Sequence, residues 1–307
     1  EVPGDHRPEP GQPHPAGEGL GEGAARHHLP LAVGPVDQVI ATRLMALGIV
    51  AGHGVRAAEP LWLEDDKQKY GVRFFVSRQA KGRNLGTAVS AEPVSPAQAK
   101  SLAIQLANIH RLPFDTDDTD LRRTASDPAS GARPLANVMN EYLKGWIDFW
   151  YSLDVGAYPA MESTIHWLRA NLPYADDTPV LLHGDYALHN TLIDGDEVGG
   201  ILDWEMTHVG DRAEDISWLM STLGKHVDAD EFMSYYVAAG GKAVSGFQLK
   251  YYEVLVHMKL LLVCIEAQLR FQTLPQAGPH FAVLALGFIH NPLNCLQQAI
   301  ASAEAAR

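Results

Sequence analysis

The sequence predicts an α+β fold in which a small mixed piece precedes a larger, mainly helical one. Three observations lead there. Two strand-like runs, Pro60-Leu61-Trp62-Leu63 and Val72-Arg73-Phe74-Phe75-Val76, stand close together after a helical stripe. Three shorter apolar runs, Val180-Leu181-Leu182, Thr191-Leu192-Ile193 and Gly200-Ile201-Leu202, bracket polar loops. From Asp215 onward the chain reads as helices. With 307 residues, 46% of them hydrophobic and 20% charged, the chain is long enough for one large domain or two lobes with a substantial core.

The elements follow in order. The first thirty residues hold six Pro, six Gly and four His, with only Val2, Leu20 and Leu29 as larger aliphatics. Such a stretch buries too little apolar surface to offset its ordering entropy, so residues 1–34 are expected to be a disordered or aberrant tail. Its run Gly17-Glu18-Gly19-Leu20-Gly21-Glu22-Gly23 is not read as a phosphate loop. No β-rich run precedes it, no Lys follows it, and two glutamates repel phosphate. Val36, Val39, Ile40, Leu44 and Leu47 then share one helical stripe that ends at Gly48. The first two strand-like runs come next, with polar Asp65 to Lys69 as the hairpin turn between them.

Helical character returns after Ala80-Lys81-Gly82. Ser95 is placed to cap a helix, with Pro96 at its first position and Gln98 closing a capping box. Ala99, Leu102, Leu106 and Ile109 supply its buried stripe. Residues 113–134 form a polar connection. Helices are expected over 136–153 and 160–171, the first carrying Tyr142, Trp146, Phe149, Trp150 and Tyr151. Asp194-Gly195 supplies turn chemistry between the last two short strands.

Charge narrows the partners. Lys and Arg total 24 against 37 Asp and Glu, a formal net charge of −13. A field of that sign repels phosphate backbones and anionic lipid, which argues against nucleic acid and membrane surfaces as partners. Cys264 and Cys295 are too few for a disulfide framework or a zinc cluster and read as free thiols. The longest apolar run, Val254 to Ile265, is interrupted by His257 and Lys259 and is too short to span a bilayer. No basic-then-apolar leader opens the chain, so a cytoplasmic location is expected.

One stretch carries chemistry. Leu182-His183-Gly184-Asp185-Tyr186-Ala187-Leu188-His189-Asn190 is followed by Ile201-Leu202-Asp203-Trp204-Glu205. An apolar strand delivers His-Gly-Asp into a loop, Asn returns five residues after that Asp, and a second strand ends near another Asp. Strand ends are rigid mounts for polar side chains. Phosphoryl transfer needs this set: one carboxylate to orient a hydroxyl and accept its proton, and hard oxygens from Asn and Asp to hold Mg²⁺ on nucleotide phosphates.

The spacing matches the kinase catalytic loop His-x-Asp-x-x-x-x-Asn and its downstream metal-binding Asp. With Gly after the His and Asp-Trp-Glu downstream, the sequence resembles the aminoglycoside phosphotransferase (APH) family of kinase-fold small-molecule kinases. Gly210-Asp211-Arg212-Ala213-Glu214-Asp215 resembles that family's Gly-Asp-Pro…Asp-Leu-Ala segment, and Leu106-Ala107-Asn108-Ile109-His110 its Leu-Ala-x-Leu-His helix end. The resemblance covers residues 36 to about 290. It implies a protein-kinase-like fold of two lobes: residues 35–82 as an incomplete nucleotide-binding N-lobe with its hinge, and residues 83–307 as the catalytic, substrate-binding C-lobe. It implies ATP, with GTP as the alternative, and Mg²⁺.

Carried over by position, Asp185 resembles the catalytic base, Asn190 a metal ligand and Asp203 the main Mg²⁺ ligand. His183 is placed to brace the loop, with proton shuttling as its other catalytic reading. Asp215 resembles the residue that anchors the catalytic loop through backbone hydrogen bonds. His189, at a variable point of the motif, reads as loop surface. Glu205 and Asp211 read either as contacts to metal or cationic substrate or as structural carboxylates. The rings of Tyr142, Trp146, Phe149 and Trp150 read as helical core or substrate wall.

The implied substrate is a hydroxylated small molecule: an aminoglycoside, amino alcohol, sugar derivative or macrolide. Tyr251-Tyr252-Glu253-Val254-Leu255 through Lys259-Leu260 resembles the branch related to acyl-CoA-dehydrogenase-associated phosphotransferases, which adds hydroxyacyl thioesters.

The sequence departs from the family at one place. There is no Lys before Lys67, and no Glu between Glu22 and Glu59, so both halves of the family's N-lobe Lys–Glu ion pair are missing. Three explanations stand: residues 1–34 are foreign to the fold, Arg26, Arg43 or a later Lys reaches the phosphates, or the protein is a catalytically silent kinase-like binder. A metal-dependent hydrolase using Asp185 and Asp203 is a further reading, one that leaves the Asn190 spacing unexplained.

Overall fold

The computed structural model describes residues 48, 50, 53–64, 66–71, 73–87, 91–113, 134–173, 178–223, 226–273, 278–288 and 290–306, all within the compact unit Ala32–Arg307. The expected tail over 1–34, the helical stripe over 36–47 and the polar connection inside 113–134 lie outside the described residues. Gly48 and Val50 are helical, and Val50 is fully buried.

The first strand pair is an antiparallel hairpin of β1 (Pro60–Glu64) and β2 (Phe74–Ser77), with Leu63 opposite Phe75 and Glu64 opposite Phe74. The expected hairpin turn is instead a short helix, α1 (Lys67–Tyr70). The Asp66 carboxylate accepts the Gln68 N–H at 2.9 Å to start it, and Gly71 at φ 78° closes it on the Lys67 carbonyl. An acidic cap and a following glycine were both in the sequence, so a one-turn helix replaces a tight turn.

Helix α2 (Pro96–His110) forms as its cap predicts. The Ser95 hydroxyl accepts the Gln98 N–H at 3.1 Å, and Gln98 Oε1 accepts the Ser95 N–H at 3.0 Å. Helices α3 (Leu135–Ser152) and α4 (Pro159–Ala170) agree with expectation to within one residue. Then come β3 (Val180–Leu182), β4 (Thr191–Asp194), β5 (Glu197–Ile201), a 3-10 turn (Trp204–Met206) and β6 (His208–Gly210). The rest is helical: α5 (Ala213–Leu223), α6 (Ala229–Ala238), α7 (Gly246–Thr273), α8 (Pro279–Ala282), a π-helical turn (Val283–Phe288) and α9 (His290–Ala305).

Each described sheet has two antiparallel strands: β1–β2, β3–β6 and β4–β5. The β4–β5 hairpin turns through Gly195 at φ 63°, as Asp194-Gly195 predicts. Strand β5 starts three residues earlier than expected and stops at Ile201, because the Leu202 carbonyl is taken by the His183 ring at 2.9 Å. Isolated bridges from Ala57 to Ile201 and from Arg83 to Ile193 tie the segments flanking the first hairpin to the second. At Gly199 a Cβ would stand 2.3 Å from the Lys81 carbonyl oxygen, so this crossing tolerates no side chain.

Two apolar cores flank the β3–β6 pair. One gathers Leu102, Leu106 and Ile109 of α2 around Leu181, Tyr186, Ile201, Phe232 and Tyr236. The other packs α3, α4, α7 and α9 through Met139, Ile147, Leu168, Tyr251, Leu255 and Leu296. Trp150 belongs to this second core, and Tyr142, Trp146 and Phe149 pack partly buried against it. Cys264 is a free thiol, buried in α7, and burial pushes it up to about 11, which keeps it protonated and unreactive near neutrality. Among the described residues no helix is long and apolar enough to cross a membrane.

Candidate active site

Strand β3 has all three residues buried, so it is a rigid mount for the loop that follows. Asp215, in the first turn of α5, receives that loop. Its Oδ2 accepts the His183 N–H at 2.8 Å and its Oδ1 the Gly184 N–H at 2.8 Å. Asp215 is completely buried. Burial raises its carboxyl, but the hydrogen bond and charge of His110 and the N–H of His183 outweigh that and hold it below the usual carboxylate range. His110 completes a chain, with Nε2 3.1 Å from Asp215 Oδ2 and Nδ1 2.7 Å from the Tyr236 hydroxyl.

Gly184 sits at φ +80°, and a Cβ there would lie 2.1 Å from the Met206 carbonyl oxygen. The loop therefore turns at a residue that only glycine fits, for conformation and for space. The turn presents Asp185. Asn190 Nδ2 donates to Asp185 Oδ2 at 2.7 Å and to the Asp185 carbonyl at 3.1 Å. That assignment of the amide turns Asn190 Oδ1 away from Asp185. Asp185 Oδ1 is buried and has no hydrogen-bond partner. An orphaned carboxylate oxygen beside a held one is an acceptor awaiting a donor.

The second strand end meets the first. The Leu202 N–H donates to the Asn190 carbonyl at 2.8 Å, and its carbonyl accepts from His183 Nε2 at 2.9 Å. The peptide unit leading into Asp203 is thus clamped by the loop that carries Asp185. Asp203 itself is in the left-handed region, φ 65° and ψ 59°, a conformation that costs a non-glycine residue about 1–2 kcal/mol. The 3-10 turn behind it is held by Trp204, whose indole N–H donates to the Ile201 carbonyl at 3.0 Å.

His183 is fully buried, with Nδ1 accepting the Asp185 N–H at 3.2 Å and Nε2 bonded to Leu202. Its ring also packs 4.6 Å from Trp204. Both ring nitrogens are thus bonded to backbone of the two site segments. His189, expected on loop surface, has Nε2 3.8 Å from Asp185 Oδ2. Asp211 is buried. Its Oδ1 accepts the Ala213 N–H at 3.0 Å and its Oδ2 the Gln248 amide at 3.3 Å, and burial raises its carboxyl. These contacts start α5 and dock α7 rather than face a ligand.

Sequence reasoning missed a buried polar cluster behind the loop. Lys259 Nζ donates to Glu214 Oε1 at 2.8 Å and to the Tyr142 hydroxyl at 2.9 Å. The Tyr142 hydroxyl donates to Glu214 Oε1 at 3.0 Å, and Glu214 Oε2 is 3.3 Å from His208 Nε2. Burial pushes Glu214 up, yet Lys259 and His208 together bring it down to about 2. Burial likewise pulls the Lys259 ammonium down, and Glu214 and Tyr142 more than reverse it, so Lys259 is raised. The signal was present in the sequence: a lysine interrupting an apolar helical run is buried only when paired.

This pairing fixes the sign of an acid response. Glu214 folds with its carboxyl at about 2, below its ordinary 4.5, so its contribution is complete above about pH 4.5 and is lost as pH falls toward 2. A shift of that size corresponds to stability on the order of 3 kcal/mol. Urea midpoints measured at pH 7, 4.5 and 3 are expected to fall between the last two pH values in the wild type, and to fall less in Glu214→Gln. Equal slopes in both proteins would show that Glu214 is not coupled to folding.

The fold has relatives of known structure. A protein of Ralstonia eutropha JMP134, assigned to the aminoglycoside phosphotransferases, superposes with a TM-score of 0.65 at 18% identity, over 88% of this chain and 84% of its own. Macrolide 2′-phosphotransferase MphH of Brachybacterium faecium gives a TM-score of 0.56 at 17% identity, over 82% and 81% of the two chains. The architecture is that of the protein-kinase-like phosphotransferases. Residues 34–249 match the phosphotransferase enzyme family, APH, and the chain belongs to it. In sequence it is similar to acyl-CoA dehydrogenase family member 11 of Gallus gallus, 29% identical over 171 residues. That match takes in 54% of this chain and 20% of the relative, so the chain spans about a fifth of the length of this curated relative.

Proposed function

We propose that this protein transfers the γ-phosphate of ATP to a hydroxyl group of a small molecule. The observation that carries the reading is Asp185: one carboxylate oxygen is fixed by Asn190 and the other is buried with no partner, beside the clamped Asp203 segment. A base must be held in place and still have a free lone pair. Asp185 meets both conditions. Its Oδ1 accepts a hydrogen bond from the substrate hydroxyl, orients the oxygen toward the terminal phosphate, and takes the proton as the new oxygen–phosphorus bond forms and the γ-phosphorus bond to the β–γ bridging oxygen breaks, releasing ADP.

The donors present suit Mg²⁺. Asn190 Oδ1 and the Asp203 carboxylate are hard oxygens on adjoining segments, and among the described residues no group of three or more His, Cys, Asp or Glu forms a self-sufficient metal site. Two protein oxygens completed by phosphate oxygens and water are how Mg²⁺ is usually held with a nucleotide. Bound there, the ion neutralises charge on the β- and γ-phosphates. Residues 35–82 are assigned to the nucleotide side and residues 83–307 to the catalytic and substrate side. No Lys precedes Lys67, and Asp203 is itself an anion that would meet phosphate only through the cation it holds.

For the acceptor, the similarity to an acyl-CoA dehydrogenase family member favours a hydroxyacyl thioester over an aminoglycoside. The half-buried rings of Trp146 and Phe149 on α3 offer a wall for an acyl chain.

Calorimetric titration with ATP in the presence of Mg²⁺ tests the assignment. Asp203→Ala is expected to weaken Mg²⁺-dependent nucleotide binding at least tenfold, about 1.4 kcal/mol, while Asp185→Ala stays near wild type. Equal affinity for wild type and Asp203→Ala would overturn the role given to Asp203. Tight nucleotide binding without transfer to any acceptor would favour the silent, kinase-like binder instead.

A further inference from the structure

We propose that His208, held from behind by Glu214, Lys259 and Tyr142, is a positioning residue that sets the two site loops by fixing the Met206 carbonyl between them. The inference deepens the phosphotransferase reading and rests on it for its catalytic consequence. Met206 closes the 3-10 turn that follows Asp203, and its carbonyl oxygen occupies the space a Cβ would need at Gly184, one residue before Asp185. One backbone group therefore touches both halves of the site. His208 Nδ1 is 2.8 Å from that oxygen, close enough to hold it by donating a hydrogen bond.

The ring is itself held at both nitrogens and on one face. Its Nε2 faces Glu214 Oε2 at 3.3 Å, and the Tyr142 ring stacks on it at 4.2 Å with planes 10° apart. Pairing of β6 with β3 sets His208 opposite Leu182, the last residue before the loop. Lys259 secures Glu214 and Tyr142 together, and its ammonium lies 5.1 Å from the centre of the Trp146 ring. Burying an ammonium and a carboxylate carries a desolvation cost that a well-packed apolar pair would avoid. Directional hydrogen bonds are what the apolar pair cannot supply, and here they end on the carbonyl shared by the two loops.

Amide hydrogen exchange and steady-state kinetics on the full chain test the proposal. His208→Phe retains a ring to stack on Tyr142 and leaves the Lys259–Glu214 pair in place, but cannot bond Met206. It is expected to speed exchange about tenfold at the Gly184, Asp185 and Thr207 amides, which are bonded to Asp215, His183 and Trp204 respectively, and to leave Leu102 to Ile109 of α2 within twofold. With any acceptor the wild type uses, kcat is expected to fall about tenfold while KM for that acceptor stays within twofold.

Unchanged exchange at the two loops, or an equal rise throughout α2, would overturn the proposal, the latter by showing a packing role only. Should His208→Phe not fold, Lys259→Met and the charge-retaining Lys259→Arg give the same readout. Exchange at the loops is then expected to rise with Met and return toward wild type with Arg, and equal rises in both would count against the device. A wild type that transfers phosphate to no acceptor refutes the functional reading alone, because the exchange pattern still decides the positioning claim.

Discussion

Asp185→Ala is expected to lower kcat for phosphoryl transfer by about 10²–10⁴-fold, the range a positioned general base contributes. Nucleotide affinity in this variant is expected to stay near that of the wild type, because Asp185 is proposed to act on the acceptor hydroxyl and Asp203 on the metal–nucleotide. The loop is expected to survive the substitution, because Asp215 receives the His183 and Gly184 N–H groups and the Asn190 N–H bonds the Ala187 carbonyl at 3.0 Å without help from the Asp185 side chain. Asp185→Asn separates shape from basicity, since the amide fills the same space and cannot take the proton. Single-turnover measurement with saturating nucleotide checks both variants, and near-normal turnover in either would show that the base lies elsewhere.

Asp215→Ala has the largest expected effect on stability. The carboxylate is completely buried and is the partner of two backbone N–H groups and of His110. Removing it leaves those groups without an acceptor in a dry interior, at about 3–5 kcal/mol for a buried charge network broken on one side. A loss of that size lowers Tm by roughly 10 °C in a domain of this length. Activity is expected to fall with it, because the turn at Gly184 would no longer be pinned to α5. Asp215→Asn, which keeps one acceptor oxygen, is expected to fall between wild type and alanine by calorimetry. An alanine variant as stable as wild type would show that the loop is held by packing alone.

Local signals in the sequence were enough to locate much of this architecture. Ser95, Pro96 and Gln98 name a helix start in three residues, and the capping box is formed. Asp194-Gly195 names the β4–β5 turn, and the periodicity around Tyr142 to Trp150 names α3. Signals that depend on distant partners were not legible in this way. Strand β6 has three residues and exists through pairing with β3, so nothing in His208-Val209-Gly210 announces it.

The site divides along the same line. The order His183, Asp185, Asn190, Asp203 was readable because the elements are close in sequence, and the structure joins their segments through Leu202. The two backbone bonds of the His183 ring, to Leu202 and Asp185, needed the third dimension to be seen. Tyr142, Glu214 and Lys259 are far apart in the chain, and only folding brings their polar atoms within hydrogen-bond distance. Lys259 left a trace as a charge in an apolar run, whereas Tyr142 was indistinguishable from core.

Asp185 and the Asp203 segment are proposed to act as one site on a hydroxyl and a terminal phosphate. Tracing the label from [γ-³²P]ATP with Mg²⁺, against a panel of amino alcohols, sugars and hydroxyacyl thioesters, tests it most directly. Label is expected on the acceptor oxygen with wild type, lost with Asp185→Ala and lost when Mg²⁺ is chelated. Label released as inorganic phosphate at the same rate with and without acceptors, or equal transfer by Asp185→Ala, would contradict it.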